Sequence, residues 1–242
     1  MALAALLAVS VAGIATGANK PVTVEVGNLV FTFNGGFSPT KLPKNKLAPI
    51  SLQASGKIST KDGTHPPALK ETIVETDKNG AINVKGIKAC TAGQLQSRDT
   101  KAAEKVCGKS IIGTGTTTVE VEFPEQKPFD VTSKLLVING GFKGGTTTLY
   151  IHAFFDRPTP GAIVTTLKIK KVHNGRYGLK TVATIPKIAG GSGSVKSFNL
   201  TINKKGVLTA KCPDGKLQAK ASAIFADGTK ASAGIIRTCT GK

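Results

Sequence analysis

Apolar and polar residues alternate along most of the chain, which is the pattern of strands that bury one face. The clearest alternating runs are residues 22–26, 118–123, 167–170, 198–202 and 217–225. Asn-Gly or Asp-Gly pairs, which supply the positive φ that tight hairpins need, lie between such runs. These pairs stand at residues 62–63, 79–80, 174–175, 214–215 and 227–228. The pattern predicts consecutive strands joined by short turns.

Only residues 91–106 have a helical pattern, with Asp99 as a candidate N-cap before the run at residues 101–106. A helix here is short and lies between Cys90 and Cys107. Regularly spaced strands with almost no helix predict an all-β fold, specifically an antiparallel β-sandwich.

A short internal sequence repeat bears on the number of domains. Residues 30–37 and residues 135–142, which begin 105 positions later, share an Asn-Gly-Gly-Phe run after an apolar strand. A strand, a proline-containing segment and an Asn-Gly hairpin follow each copy, although the two Asn-Gly turns are 95 residues apart. We predict two related β modules, 19–123 and 124–242, joined at residues 124–128. The alternative is two unrelated pieces that share a common turn sequence.

The first eighteen residues carry no charge and run from an apolar stretch to small and polar residues. This is typical of a secretory signal peptide, residues 1–18, cleaved between Ala15 and Lys20. No Lys or Arg precedes the apolar run, so either the true start lies upstream or the signal is atypical. A transmembrane anchor is the alternative, but it needs about 20 apolar residues. We expect no transmembrane anchor after signal removal.

Four cysteines in an exported chain indicate two disulfides, for which three connectivities exist. Sequential pairing joins Cys90 to Cys107 and Cys212 to Cys239, and it keeps each bridge within its own module. Each bridge is expected to stabilise the fold by roughly 3–4 kcal/mol. A zinc site is the alternative, but the chain has no Cys-x-x-Cys or Cys-x-x-His pair. We expect no metal and no cofactor.

The chain is strongly basic, with 33 Lys and Arg against 14 Asp and Glu. Residues 19–123 hold 14 basic and 9 acidic residues, a net of +5, whereas residues 124–242 hold 19 and 5, a net of +14. Only four of the cations are arginine. Lysine lacks the planar fork that reads phosphates and bases, so the charge favours diffuse attraction and no specific nucleic-acid partner is expected.

Five cations flank the hairpin at residues 174–175, namely Lys168, Lys170, Lys171, Arg176 and Lys180. Alternation places Leu167 and Ile169 toward the core and Lys168 and Lys170 on the opposite face. These cations form a candidate polyanion-binding site for an anionic envelope polymer or lipid headgroups. The alternative is that exposed lysines keep edge strands from pairing with neighbours.

Recognisable catalytic chemistry is sparse. The nearest approach to an acid/base pair is His152 with Asp156, and the glycine-framed serine at residues 190–194 lacks the nucleophile-elbow pattern. The chain has no Trp and two Tyr, which disfavours the exposed stacking surfaces that bind sugars or single strands. We therefore predict no catalytic residue.

Several short motifs resemble one known family. They are the runs at residues 41–43, 47–50 and 56–58 with the turn at 62–63, the central Cys90, Leu95, Cys107 and residues 112–115, and the closing Cys212, residues 225–228 and Cys239. Over roughly residues 28–239 the chain is similar to a family of uncharacterised secreted proteins of high-GC actinobacteria. The resemblance implies export and a β-rich, disulfide-bearing fold, and it implies no activity.

These observations predict a non-enzymatic exported β protein, secreted or at the bacterial cell surface, with a binding or structural role in the envelope or extracellular space. One alternative is a secreted hydrolase whose site is not recognisable from sequence. Another is a β-sandwich module that binds an acidic polymer. An enzyme is expected to show a pocket with converging polar groups, and a surface protein is expected to show none.

Overall fold

A computed structural model describes residues 13–16 and 20–241 of the protein. It is mostly antiparallel β, with 61% of residues in strands and 8% in helices, and this confirms the predicted fold class. The strands are β1 Gly13–Thr16, β2 Val22–Val26, β3 Leu29–Ser38, β4 Lys41–Leu42, β5 Ala48–Thr60, β6 Leu69–Asp77, β7 Gly80–Ile82, β8 Ile111–Val121, β9 Phe129–Lys143, β10 Thr146–Phe155, β11 Gly161–Asn174, β12 Tyr177–Thr184, β13 Gly193–Ile202, β14 Leu208–Ala210, β15 Lys216–Phe225, β16 Lys230–Thr238 and β17 Thr240–Gly241. One α-helix, α1 Thr100–Cys107, and three short 3₁₀ turns complete the described elements.

A single long sheet accounts for most of the molecule. Its hydrogen-bonded order runs β16, β15, β6, β12, β11, β10, β9, β8, β13, β5, β3 and β2. The sheet curves until β16 packs beside β2, so it nearly closes on itself. The short strands β7 and β14 extend the sheet beside the first residues of β5.

Strands from both sides of residue 124 are interleaved in this sheet. The early strand β5 pairs with the late strand β13, and β6 lies between β12 and β15. Most of the predicted signal segment, residues 1–18, lies outside the described residues. Gly13–Thr16 is described, and it pairs in parallel with β16.

The predicted helix is present where the sequence places it. Asp99 caps α1, because its carboxylate accepts a 2.7 Å hydrogen bond from the backbone N–H of Ala102. Cys90 and Cys107 are joined with a Cα–Cα distance of 5.8 Å, and Cys212 and Cys239 with 6.1 Å. The pairing is sequential, and two disulfides fit an oxidising environment.

Buried side chains form layers on the two faces of the sheet. Inside the closed sheet, one cluster around Phe31 and Phe225 joins the first strands to the last, and two others line the central strands. Outside, the segment that carries α1 packs over β9 and β10 and buries Leu136 and Ile138. Neighbouring β9 residues such as Leu135 and Leu136 are therefore both buried, on opposite faces.

Candidate functional site: an apolar cavity with a basic mouth

The nearly closed sheet surrounds an apolar cavity of about 280 Å³. Side chains from β3 and from the strands β5 to β14 line it, and all of them are apolar except five threonines. The threonines are Thr72, Thr76, Thr117, Thr165 and Thr181. This differs from both expectations drawn from the sequence, because a pocket is present but its lining lacks converging polar groups.

The strand alternation creates the cavity wall. On β11 the side chains of Ile163, Thr165, Leu167 and Ile169 point inward, as the alternation predicts for Leu167 and Ile169. The diameter of a closed sheet grows with the number of strands, and about eight strands are filled by their own side chains. The longer closed sheet here leaves space inside, and Ala153 and Ala183 widen it with small side chains.

A groove of about 1830 Å³ lies next to the cavity at one end of the sheet. Ile82, Ile169 and Leu179 line both spaces, so the groove and the cavity are one side-chain layer apart, and we call the groove the mouth. The tip of the β9–β10 hairpin and the loop before β5 form parts of its rim. An apolar interior and a groove lined by polar and basic residues therefore lie side by side at this end of the sheet.

Six lysines line this mouth, namely Lys46, Lys78, Lys85, Lys170, Lys171 and Lys211. We call them the mouth lysines. Among the described residues, no Asp or Glu lines the groove, and no mouth lysine makes an ion pair. Unpaired cations around a concave opening create a positive potential that attracts anions.

Lys171 has a special place among them. It pairs across the strands with Leu179, whose side chain lines the cavity, and paired residues of antiparallel strands share a face. Lys171 is thus on the inward face of β11, two residues and roughly 7 Å beyond Ile169. The cation stands at the point where the apolar lining ends.

The structure divides the five cations of the sequence-predicted polyanion site. Lys170 and Lys171 line the groove, whereas Lys168 and Lys180 do not. Lys168 is exposed and donates a 3.1 Å hydrogen bond to the hydroxyl of Thr148. Arg176 binds two carboxylates, those of Asp77 at 2.6 Å and of Asp214. Hydrogen bonding to Asp214 and Asp77 raises the pKa of Arg176.

Four of the mouth lysines were not identified from the sequence, namely Lys46, Lys78, Lys85 and Lys211. They come from three separate parts of the chain that only the closed sheet brings together. Tyr177 also lines the groove, and burial raises the pKa of its phenol, with help from the charges of Glu75 and Asp77. The phenol is therefore neutral and able to donate a hydrogen bond.

His152 and Asp156 do not form a pair. His152 is fully buried beneath the segment that carries α1, and its Nε2 lies 2.9 Å from the carbonyl oxygen of Arg98. Asp156 is exposed at the end of β10, and no hydrogen bond or ion pair joins the two among the described residues. The geometry gives His152 the role of fastening the helical segment to the sheet.

A second polar cluster lies between His65 and β8. The Nδ1 of His65 is 2.9 Å from one oxygen of Glu120, and Lys196 donates to the other oxygen at 2.9 Å. Burial opposes ionisation of Glu120, but the bonds and charges of Lys196 and His65 outweigh it and lower its pKa. Ser194 pairs with Glu120 across the strands, yet its buried hydroxyl has no hydrogen-bond partner among the described residues. The cluster fastens the loop that carries His65 to the sheet.

The described part of the chain holds no group of three His, Cys, Asp or Glu side chains that could bind a metal ion. Within that same part, no helix has the length and apolar character needed to cross a membrane. Comparison with family models, with curated proteins and with solved structures finds no match to this chain. The resemblance to secreted actinobacterial proteins stays a prediction.

Proposed function

We propose that the protein is a non-enzymatic exported binding protein for an anionic amphiphile, such as a fatty acid or a lipid with an acidic headgroup. The single observation that carries this proposal is that Ile82, Ile169 and Leu179 line both the apolar cavity and the lysine-ringed mouth. The apolar chain of the ligand lies inside the sheet. Its anionic head stays at the mouth lysines.

The dimensions and chemistry of the cavity support the apolar half of the ligand. Protein interiors are close-packed, and voids larger than a water molecule are few. An apolar cavity of roughly 150 Å³ stays dry and accepts a benzene-sized molecule, and this cavity is about 280 Å³. Without a charged lining residue, it favours a hydrocarbon chain over a polar metabolite.

The charge of the mouth supports the anionic half. Lys171 is roughly 7 Å along β11 from Ile169, so a carboxylate or phosphate reaches it while the chain attached to it stays in the cavity. Lysine binds such groups as a mobile point charge and imposes no fixed geometry. We therefore expect selection for negative charge, with little discrimination among anionic heads.

The central test measures binding of a fluorescent polyene fatty acid to the purified protein. Wild type should bind it saturably, and Ala153→Leu/Ala183→Leu should weaken binding by about tenfold or more because the added side chains occupy the cavity. Ala162→Leu is the matched control, since Ala162 pairs with Phe154 on the outer face of the same sheet. Absence of saturable binding by wild type would overturn the proposal, as would equal binding by the double variant.

A second test addresses the head of the ligand. Wild type should bind a fatty acid more tightly than its methyl ester. Lys170→Gln/Lys171→Gln should remove most of that difference, about fivefold, because it deletes two cations at the mouth. Lys168→Gln/Lys180→Gln removes the same charge outside the groove and should keep the preference. If both double variants lost the preference for the fatty acid over its methyl ester equally, the preference would come from net charge alone, and the role of the mouth lysines would be overturned.

The exported, bacterial and envelope-associated setting belongs to this proposal as well. Two disulfides and the uncharged apolar residues 1–18 support export, and an acyl-chain ligand is abundant in an envelope. Intact-mass measurement of the secreted protein should give a mature start between Ala15 and Lys20. Recovery of the full-length chain only in a membrane pellet would contradict it.

A further inference from the structure

Two exposed apolar side chains stand on the rim of the mouth. Three large apolar side chains are exposed among the described residues, and two of them, Phe142 at 66% and Leu47 at 45%, line the groove. The third, Val106 at 37%, lies on α1 and does not line it. Exposed apolar residues are thus concentrated at the end of the molecule where the groove lies.

Lysines lie next to both apolar residues in the chain, and two glycines follow Phe142 closely. Phe142 is at the β9–β10 tip, followed by exposed Lys143 and by two glycines that both have positive φ, Gly144 and Gly145. Leu47 follows Lys44 and Lys46, which are also exposed. An apolar side chain at the centre with lysines around it is the composition of a surface that meets the interface of an anionic bilayer.

We infer that this rim docks on anionic membranes, with Phe142 and Leu47 entering the headgroup region and the surrounding lysines contacting acidic lipids. The charge of the rim favours a lipid surface over a second copy of the chain, because two copies would bring the mouth lysines of both face to face. Docking places the cavity mouth against the bilayer, where acyl chains are. It is a separate property from ligand binding in solution, although the two share one end of the molecule.

The sequence offers a direct reporter for this docking. The chain contains no tryptophan, so Phe142→Trp introduces a single one at the rim. Its emission should shift to shorter wavelength with vesicles of phosphatidylcholine and phosphatidylglycerol, and brominated lipid should quench it. Val106→Trp, at the exposed site on α1, should show neither effect. A shift in neither variant, or an equal shift in both, would overturn the inference.

Flotation with the same vesicles measures the contribution of each residue type. Phe142→Ser should lower vesicle binding about tenfold, from the loss of one buried aromatic side chain. Lys143→Gln/Lys46→Gln should lower it more than tenfold, at about fivefold for each lysine, and high salt should have the same effect. Lys101→Gln/Lys105→Gln on α1 is the matched charge control. Wild-type binding by Phe142→Ser would contradict docking through the rim, as would a loss for the α1 pair equal to that of the rim pair.

Two further measurements separate this inference from its rivals and from the proposed function. The cavity variant Ala153→Leu/Ala183→Leu should still float with vesicles, and Phe142→Ser should still bind free fatty acid. Retention by an insoluble anionic polymer that is independent of Phe142 and exceeds vesicle binding would favour a wall partner instead. A wild-type dimer in sedimentation velocity that Phe142→Ser dissociates would show that a second copy covers the rim, and would overturn the inference.

Discussion

His152 lies under the segment that carries α1 with its ring wholly buried. Burial lowers its pKa, and this outweighs the opposing effects of the hydrogen bond to Arg98 and the charge of Asp99. Its Nδ1 has no hydrogen-bond partner among the described residues. The folded protein therefore holds the ring in its neutral form, with the Nε2–H donating to the carbonyl oxygen of Arg98.

This makes stability depend on pH in a defined window. An unfolded histidine takes up a proton near pH 6.5, whereas folded His152 does so at lower pH, so the unfolded state binds more protons below pH 6.5. The contribution of His152 to the free energy of unfolding should be constant above that pH and should fall below it, by up to about 1.4 kcal/mol per pH unit. Denaturation of wild type and His152→Gln from pH 7.5 to 5 measures this, and parallel curves for the two proteins would contradict it.

Asp77 and Asp214 bind the same guanidinium from very different surroundings. The Asp77 side chain is 4% exposed, and its oxygens also accept hydrogen bonds from the backbone N–H groups of Asn79 and Gln218. The Asp214 side chain is 39% exposed. A buried carboxylate with several partners contributes far more than an exposed one, because its loss leaves two backbone donors unpaired and takes one of its two carboxylates from Arg176.

Substitution of the two carboxylates should therefore have unequal effects. We expect Asp77→Ala to lower the free energy of unfolding by about 3 kcal/mol and Asp214→Ala by less than about 1 kcal/mol. Urea denaturation of both variants at neutral pH gives the comparison. Similar losses would show that Arg176 depends on both carboxylates equally.

The sequence predicts which way a strand side chain faces, but it does not predict the distant residues that the side chain contacts. The alternation correctly predicted that Leu167 and Ile169 face inward. The alternation did not predict that Arg176 forms ion pairs with Asp77 and Asp214, because these residues are 99 and 38 positions away in the chain. Pairing partners that distant follow from the fold and leave no local pattern.

At the scale of elements, β8 and β13 approach unusually closely. A Cβ at Gly115 would lie 2.0 Å from the carbonyl oxygen of Asn199, and one at Gly113 would lie 2.2 Å from that of Thr201. Both glycines point to the inner face, opposite Leu200 and Ile202. Glycine at these positions lets the sheet bend sharply where two strands are pressed together.

We expect Gly115→Ala to cost about 3 kcal/mol or more, at the upper end of overpacking effects, because the new Cβ meets the backbone of Asn199, which cannot rotate away. Gly161→Ala on β11 is the strand control, since the carbonyl oxygen of Thr159 is 3.9 Å from the new Cβ, an ordinary contact distance. It should change stability by less than about 0.5 kcal/mol. Thermal unfolding of the two variants distinguishes these outcomes.

Local elements were accessible from the sequence where local chemistry decides them. The N-cap at Asp99 and the short helix are confirmed, because capping depends on residues three positions apart. The two Asn-Gly-Gly runs, at residues 34–36 and 139–141, both lie within long strands, β3 and β9. The Asn139 side chain bonds the backbone of residues 87, 88 and 141, which are contacts that a strand pattern does not encode.

For the molecule as a whole, cavity binding should be visible as stability. A ligand that binds only the folded state at 100 times its dissociation constant adds about 2.7 kcal/mol. For a domain of this size that raises the melting temperature by roughly 5–10 °C. Calorimetry with and without a fatty acid should show this increase for wild type and not for Ala153→Leu/Ala183→Leu.

The cavity could not be predicted from the sequence. An inward-facing apolar residue has the same pattern whether it packs against the opposite wall or borders a space, so alternation predicts only that it is buried. The difference depends on how many strands the closed sheet contains and on the order in which they pair. Lys170 and Lys171 were identified from their neighbours in sequence, but their position at a mouth follows from the closure of the sheet.

The interleaved strand order also constrains how the chain acquires its structure. As the chain is made from its first residue onward, β6 has neither neighbour until β12, at Tyr177–Thr184, and β15, at Lys216–Phe225, have been synthesised. β5 can pair with the earlier strand β3, but its other edge waits for β13. Such distant pairings fold slowly, in milliseconds to seconds, and leave strand edges open to aggregation meanwhile. A protein with this topology benefits from being kept unfolded until the last hairpin, β15–β16, is available to close the sheet.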